Sequence, residues 1–245
     1  MIDQLLRAGY IALKDLRAYY LKPPLISWGI LFPGAMILAF YLRSPIDIRQ
    51  MIPGLVGLTL LFGATSMEAI VVAFEKRIGA LERLAMAPVS PMAIILGKAA
   101  SGVVFALATG LIVAGVSIVA LGLQISEPVF LLPTLLLSAT SFSLLGTFVS
   151  VAVREVFEAM TLANYFRFPM IFLCGVFLPL PAMPPVLRIA AYALPLTYAV
   201  DALRSHFLAG EGAILPLAVD WAALLCFAAI LYFSACRLLI RRLEE

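Results

Sequence analysis

The chain has 245 residues, of which 64% are hydrophobic and 13% are charged, and its formal net charge is +3. Soluble domains average about 45–50% apolar and 25% charged residues, so this composition excludes an ordinary soluble globule and a disordered chain. It is typical of a multi-pass membrane protein, and so small a net charge gives no reason to expect nucleic acid as a partner.

The first twenty residues predict an amphipathic helix that lies on the membrane surface. Apolar positions recur every three to four residues over 2–20, with charged residues such as Arg7 and Lys14 between them. A solvated cytoplasmic helix is the alternative. We expect the helix to end at Lys22-Pro23-Pro24, because proline disfavours a helical residue before it. The start lacks the apolar core and cleavage site of a signal peptide, so we expect no cleaved leader.

Six later segments are long and apolar enough to cross a bilayer, which takes about 20 helical residues. Their apolar runs are continuous rather than alternating, which indicates helices and not barrel strands. The sequence therefore predicts a single all-α, polytopic membrane domain over 1–245 with six transmembrane helices. The predicted spans are 25–42, 53–74, 98–122, 129–153, 159–178 and 214–236.

The distribution of basic residues predicts the orientation of the chain. The connections place twelve Lys and Arg residues on one side of the membrane and four on the other. By the positive-inside rule the richer side is cytoplasmic, and it carries both termini, as an even number of spans also requires. We therefore expect a protein of the inner (cytoplasmic) membrane. The twelve are Arg7, Lys14, Arg17, Lys22, Lys76, Arg77, Arg83, Lys98, Arg154, Arg237, Arg241 and Arg242, and the four are Arg43, Arg49, Arg188 and Arg204.

The third predicted span carries small residues at intervals of four. Such a stripe lets another helix backbone approach closely. Packing within one subunit is the favoured interpretation, and a dimer interface is the alternative. The stripe consists of Gly102, Ala106, Gly110 and Ala114.

Motifs for catalysis or metal binding are missing from the sequence. There is no phosphate-binding loop, since Gly97-Lys98 is followed by alanine, and there is no H-E-x-x-H or G-x-S-x-G. The dispersed cysteines Cys174, Cys226 and Cys236 form no CxxC pair, so we expect buried free thiols. Any work on a substrate must then be powered by another protein.

Two connections are unusual enough to carry a function. The cytoplasmic one after span two predicts a short amphipathic helix that Pro88 ends, and Ile78, Leu81 and Leu84 share its apolar face. This face could contact a soluble partner, although a helix lying on the membrane surface fits the same pattern. The outer connection, 178–208, is apolar and rich in proline. It predicts two short re-entrant helices that form a lid before the last span.

Two motifs give the chain a family resemblance that covers nearly its whole length. They read E-x-R-x-G-x-L-E-x-L-x-x-x-P after span two and P-L-x-x-M-P-P-x-L…L-P-L-T-Y-A-V-D-A-L-R before the last span. With the amphipathic start and six spans, they resemble the type 2 permeases of ATP-binding-cassette exporters, which include daunorubicin-resistance and polysaccharide-export permeases. The matching positions are Glu75, Arg77, Gly79, Leu81, Glu82, Leu84 and Pro88, then 179–187 and 194–204.

The resemblance implies how the protein works. Such permeases act as dimers, and the helix after span two docks each subunit onto a separate cytoplasmic ATPase. ATP and Mg²⁺ would then bind that partner, so this chain would have no nucleotide-binding domain, no cofactor and no enzymatic activity of its own. Spans two and five face the translocation path in this family.

Two charged residues lie deep in those two spans, Glu68 in span two and Arg167 in span five. At 1.5 Å per residue they lie about 9 Å and about 12 Å from the cytoplasmic ends of their spans. An unpaired charge is costly at that depth, so we expect the two side chains to pair or to line a watery cavity. Snorkelling of Arg167, or a local pair with Glu158, is the alternative. The predicted path residues are Glu68, Asn164, Arg167, Phe168 and Phe172.

The sequence therefore predicts an exporter permease whose substrate is amphipathic or hydrophobic, a drug or a lipid-like molecule. A lipid-linked polysaccharide exporter is the first alternative. An ion-coupled secondary carrier is a weaker one, because carriers usually place several ionisable residues at the bilayer midplane. A purely structural membrane anchor would explain neither the cytoplasmic helix nor the apolar outer connection.

Overall fold

The computed structural model describes residues 2–20, 34–35, 38, 42, 45–153, 155–208 and 212–244, and all regular structure in these ranges is helical. The predicted first span, 25–42, lies almost entirely outside the described residues. Leu16–Tyr20 extends α1 as a π-helical turn, and a 3₁₀ turn occupies Leu180–Ala182. The helices are α1 (Ile2–Asp15), α2 (Pro45–Arg77), α3 (Ala80–Met86), α4 (Pro91–Leu121), α5 (Pro128–Ala152), α6 (Val156–Leu173), α7 (Pro185–Tyr192), α8 (Pro195–Phe207) and α9 (Leu217–Glu244).

Four of the described helices, α2, α4, α5 and α9, are long and apolar enough to cross a membrane. The helices α7 and α8 meet at 91° and would add a fifth span if the bent pair is counted as one. The helix in the predicted fifth span, α6, is not among them, since its 18 residues include Glu158, Asn164 and Arg167. The described residues thus establish a polytopic helical protein, and the six-span count stays a prediction.

The central helix of the fold is α2, which packs against α4, α5, α6 and α8. Leu60 and Leu61 of α2 share a buried core with Leu135 and Phe142 of α5. The backbones approach closely at Gly54, where an added Cβ would lie 2.9 Å from the Cα of Val176. Because α2 is enclosed on several sides, its few polar side chains must find partners inside the protein.

The small-residue stripe of α4 faces α2 within the same chain. Ala106 lies against Gly63, and Gly110 lies against the side chain of Leu60. A Cβ on Gly102 would come within 2.6 Å of Glu68 Oε1. The prediction that this stripe serves packing inside one subunit is therefore confirmed.

The amphipathic helix α1 has three faces rather than two. Ala8 and Ile11 are buried against α4, where an added Cβ at Gly97 would lie 2.7 Å from the carbonyl oxygen of Ala8. Leu5 and Leu6 are more than half exposed and lie on a second, apolar face. This second face is the one expected to meet the membrane surface, and Asp3, Arg7 and Lys14 occupy the third.

The three cysteines are free. Cys174 and Cys236 are buried as predicted, but Cys226 is exposed. The prediction of a buried thiol at Cys226 is wrong because the residue lies on the outward face of α9, which the other described helices do not cover.

Candidate functional site

A sharp turn at Gly79 separates α2 from α3, the helix expected to contact an ATPase. Gly79 has φ 66° and ψ 16°, a left-handed conformation that costs glycine little. The helix α3 then runs for seven residues and ends at Met86, two residues before Pro88. Ser90 caps α4 by accepting a hydrogen bond from the N–H of Ala93 at 3.2 Å. The glycine and proline of the motif thus delimit a short helix between two spans.

Two of the motif residues are enclosed by their own chain. Leu81 is only 4% exposed and shares a buried cluster with Val72 and Ile95, while Leu84 is half-buried. The predicted apolar face with an exposed Leu81 is therefore wrong, because that side chain completes the internal packing of α3. Glu75 is 1% exposed and is likewise absent from the surface. Any role of Leu81 and Glu75 in coupling is therefore to hold α3 in place rather than to contact the ATPase.

Other residues of the α3 region remain accessible. Arg77 and Pro88 are exposed, and Ile78 and Met86 are 45% and 80% exposed. The side chain of Glu82 lies outside the described part of the chain. The surface available to a partner therefore has an apolar component, with basic residues beside it.

Four charged residues from three helices form a cluster in which Asp15, Glu75 and Lys98 are buried and Lys14 is half exposed, and we call it the buried cluster. Lys98 of α4 is 1% exposed, and its Nζ donates to Asp15 Oδ2 at 2.7 Å and to Glu75 Oε2. Lys14 Nζ donates to Glu75 Oε1 at 2.6 Å and lies 2.8 Å from Asp15 Oδ1. Two cations and two carboxylates balance each other, which is the condition for keeping charges inside a protein. The cluster joins α1, the end of α2 and the start of α4.

The two α1 residues of this cluster have shifted pKa values. Burial raises the pKa of Asp15, and the neighbouring charge of Lys98 opposes this shift. Burial lowers the pKa of Lys14, but hydrogen bonds to Asp15 and Glu75 outweigh it, so the net shift of the Lys14 pKa is upward. Lys14 therefore stays protonated at neutral pH.

Glu68 lies deeper in the protein and is fully buried. Its Oε1 accepts hydrogen bonds from Tyr20 Oη at 2.7 Å and from Ser101 Oγ at 3.4 Å. Its Oε2 accepts one from Thr147 Oγ1 at 3.5 Å. Glu68 of α2 thus joins three other elements at one point, which are the π-helical turn Leu16–Tyr20, α4 and α5.

Arg167 is also buried, at 5% exposure, on the face of α6 that packs against α2. Its Nε donates to Thr65 Oγ1 at 2.7 Å and its Nη1 donates to Asn164 Oδ1 at 3.1 Å. Its Cζ lies 5.2 Å from the ring centroid of Phe62. Its Nη2 is buried and has no hydrogen-bond partner among the described residues.

Glu68 and Arg167 do not form the ion pair that was considered from the sequence. Within the described residues each has its own neutral hydrogen-bond partners. Asn164 lies beside Arg167 as expected. The partners of Glu68 lie in the π-helical turn, α4 and α5, whereas those of Arg167 lie in α2 and α6. The periodicity of the sequence does not reveal this difference.

The outward face of α6 is aromatic. Phe157, Tyr165, Phe168 and Phe172 are 81%, 72%, 57% and 64% exposed. Their spacing of eight, three and four residues places them on one side of the helix, about a third of a turn from Arg167. We call these four residues the aromatic stripe. Two of its members, Phe168 and Phe172, are among the predicted path residues.

At the other end of the molecule, the polar residues of the late motif hold α8 to its neighbours. Thr197 Oγ1 donates to the carbonyl of Ala191 at 2.6 Å, and Tyr198 Oη donates to that of Tyr192 at 2.8 Å. Both bonds close the bend between α7 and α8. They give a structural reason for the T-Y pair of the motif.

Asp201 and Arg204 of the same motif fasten two loops to α8. The Asp201 carboxylate accepts hydrogen bonds from the N–H groups of Ile214 and Leu215 at 2.9 Å and 2.8 Å. Arg204 Nη2 donates to the carbonyl of Gly175, beyond the end of α6. Sequence reasoning recognised the motif but did not find these contacts, since both join residues from separate elements.

Comparison with known proteins adds the following. Residues 9–208 match the family described as "ABC-2 type transporter". The chain is 28% identical over 195 residues to the inner membrane transport permease YadH of Escherichia coli K12, covering 80% of this chain and 75% of YadH. It is 29% identical over 177 residues to the probable multidrug ABC transporter permease YbhS of the same strain, covering 70% of this chain and 46% of YbhS.

Proposed function

Because this chain belongs to the ABC-2 type transporter family, and is thus the membrane subunit of an ATP-binding-cassette transporter, we propose that it forms the translocation path of an exporter. In the proposed assembly two copies of the permease meet in the inner membrane, and each contacts a cytoplasmic ATPase. ATP and Mg²⁺ bind the ATPases, and this chain holds no cofactor. Both termini lie in the cytoplasm.

The observation that carries the proposal is the position of α3. The helix is short, lies between two spans, and is set off by the turn at Gly79. It begins only a few residues after Glu75, which is bonded to Lys98 of α4, and Lys98 is bonded to Asp15 of α1. A displacement of α3 would therefore be transmitted to α1 and α4. A movement of an ATPase would thereby pass into the membrane helices, as alternating access requires.

The first prediction concerns the exposed surface of α3. We expect Ile78→Asp combined with Met86→Asp to release the ATPase, because each change places a charge in an apolar contact. The permease itself should remain folded and in the membrane, since both side chains are exposed. Co-purification of the ATPase from the native membrane measures the result.

The matched control is Val129→Asp, which alters an equally exposed residue in the first turn of α5, at the far end of α4. It should leave the ATPase bound. Leu81→Asp provides a contrast, because a buried charge there should unfold the permease rather than free its surface. Full retention of the ATPase by the Ile78/Met86 variant would overturn the docking role of α3.

An amphipathic or hydrophobic cargo, drug-like or lipid-like, is supported by the residues near α6. We propose that Glu68, Asn164, Arg167, Phe168 and Phe172 contribute to the path. The aromatic stripe gives the path an apolar wall, and the few buried polar groups give it selectivity. The name of YbhS, a probable multidrug permease, points to the same class of cargo.

The aromatic stripe also favours a second candidate, export of a lipid-linked polysaccharide, because conduits for sugars are expected to carry aromatic rings along the path. The two candidate functions predict that different compounds stimulate ATP hydrolysis. In the reconstituted complex, an amphipathic drug-like compound should raise ATP hydrolysis if the first is right. A lipid-linked oligosaccharide should do so if the second is right.

A further inference from the structure

Arg167 is a buried cation that has no counter-charge among the described residues. Within the same part of the chain its guanidinium bonds only to the neutral groups of Thr65 and Asn164, and it packs over the ring of Phe62. Lys98, by contrast, is a buried cation with two carboxylates within hydrogen-bonding distance. Burying an arginine without such compensation costs free energy, so the residue is expected to serve a function.

The part of the chain that the structure describes supplies no carboxylate to Arg167. Glu68 is engaged by Tyr20, Ser101 and Thr147 instead. The stretch 21–44, most of which the structure does not describe, contains no Asp or Glu. The other acidic side chains outside the description, besides that of Asp47, belong to α3, to the connection 209–211 and to the C-terminal end of the chain: Glu82, Glu211, Glu244 and Glu245. Asp47, whose side chain is also outside the description, precedes Thr65 by 18 residues on the same helix, or about 27 Å.

The geometry points to an external anion. Within the Arg167 guanidinium, Nη2 is buried and has no hydrogen-bond partner among the described residues. A guanidinium with a free N–H group is suited to a carboxylate or phosphate. Phe168, a member of the aromatic stripe, directly follows Arg167 in the sequence, and the stripe offers apolar surface to a hydrocarbon tail. A molecule with both an anionic group and an apolar chain would satisfy both features.

We propose that Arg167 binds the anionic group of an amphiphile, with its apolar part against the aromatic stripe. The inference rests on the proposed function, which it deepens by naming the charge of the cargo. Nη2 is enclosed in the conformation described here, so the anion reaches it when α6 moves relative to α2. Asn164 acts as a positioning residue, because its Oδ1 holds Nη1.

Binding of dodecyl phosphate and dodecanol to the purified permease in phosphatidylcholine nanodiscs tests the proposal. The two probes share a chain and differ in charge. We expect dodecyl phosphate to raise the thermal stability of the wild-type permease at concentrations where dodecanol does not. Arg167→Gln should weaken the apparent affinity for dodecyl phosphate about tenfold or more, as loss of a charged hydrogen bond predicts. Arg167→Lys should retain part of the preference.

The control is Arg49→Gln, which removes the same charge from an exposed arginine bonded to the carbonyl of Leu121. It should bind dodecyl phosphate as the wild type does. Arg167→Gln should also leave the unliganded protein about as stable as the wild type, because relief of the uncompensated buried charge offsets the loss of the hydrogen bonds to Thr65 and Asn164. A merely structural Arg167 would instead lower that stability and leave the preference for the anion unchanged, which would overturn the proposal.

Two further arms identify the source of the anion. Inorganic phosphate alone should bind far more weakly than dodecyl phosphate, because it lacks the apolar chain. If phosphatidylglycerol in the nanodisc competes with dodecyl phosphate in the wild type but not in Arg167→Gln, a membrane lipid supplies the anion. If it does not compete, the site selects a cargo. The assay needs no ATPase, so a permease that shows the anion preference but recruits no ATPase would refute the proposed function and leave this site standing.

Discussion

Lys98 illustrates how a single residue can hold three helices together. It is enclosed with Asp15 and Glu75, whose negative charges it balances from α4. The sequence placed Lys98 among the cytoplasmic basic residues and gave it no specific role. Its partners lie 83 and 23 residues away, and no local pattern reports contacts at such separations.

We therefore predict that Lys98→Met strongly destabilises the permease. Removing Lys98 leaves two buried carboxylates with only the half-exposed Lys14 beside them, and breaking a buried ion pair typically costs about 3–5 kcal/mol. Lys14→Met should cost much less, because the Lys14 side chain is half exposed and water can replace it. Heat-induced loss of the folded protein in mild detergent, followed by size-exclusion chromatography, measures both variants.

Neutralising the whole cluster separates charge from packing. Lys98→Met with Asp15→Asn and Glu75→Gln leaves only Lys14 charged, and its side chain is half exposed to solvent, so we expect the triple variant to recover part of the lost stability. A triple variant less stable than Lys98→Met alone would show that the ion pairs are not the source of the effect.

At the scale of elements, the contact between α1 and α4 depends on one glycine. An added Cβ at Gly97 would lie 2.7 Å from the backbone oxygen of Ala8 and 2.9 Å from Cβ of Ile11. Neither of these atoms is the end of a flexible side chain, so relief requires the helices to separate.

We predict that Gly97→Ala loosens α1 and lowers the thermal stability of the permease. Gly115→Ala is the matched change on the same helix, with no atom within 4 Å of the added Cβ. It should be neutral or slightly stabilising, by up to about 1 kcal/mol, through helix propensity. Limited trypsin cleavage after Arg7 and Lys14 reports the loosening. Equal cleavage of the two variants would show that the close approach at Gly97 does not hold α1.

The helices themselves were largely predictable, whereas their ends were not. Apolar content locates the part of a helix that crosses the membrane, but α2 begins at Pro45 and α4 at Pro91, ahead of the predicted 53 and 98. The earlier start of α4 follows from the Ser90 cap and Pro91, which hydropathy does not register. Conversely, α6 ends at Leu173 because Gly175 adopts φ 79°.

The candidate site was predictable only in part. The motif around α3 was located correctly, and the turn at Gly79 accounts for its glycine. The apolar spacing of α3 could not distinguish a face that meets a partner from one that packs internally, which is why Leu81 was misassigned. Asp201 and Arg204 went unassigned because their partners lie 13 and 29 residues away in loops that only the fold brings close.

At the scale of the whole molecule, orientation is the property on which the transport direction depends. The 31 residues of α4 extend for about 46 Å, enough to separate its two ends by a membrane. Arg83 on α3 and Gln124 after α4 are both exposed and lie at opposite ends.

We predict that in a cysteine-free background Gln124→Cys reacts with an impermeant maleimide added to intact cells. Arg83→Cys should react only after the membrane is opened. Ala199→Cys on α8 should resist in both conditions, because that side chain is fully buried. Labelling of Arg83→Cys in intact cells, with Gln124→Cys protected, would show that the chain has the opposite orientation, and the proposed direction of transport would then be wrong.

The Asp15–Lys98 contact also sets an order of biogenesis. The two residues are 83 positions apart, so at about 5–20 residues per second a ribosome adds Lys98 some 4–17 s after Asp15. During that interval Asp15 and Glu75 have no lysine partner from α4 and must stay hydrated. The N-terminal helix therefore cannot make its contact with Lys98 when it leaves the ribosome. The buried cluster can close only after the nascent chain has delivered α4.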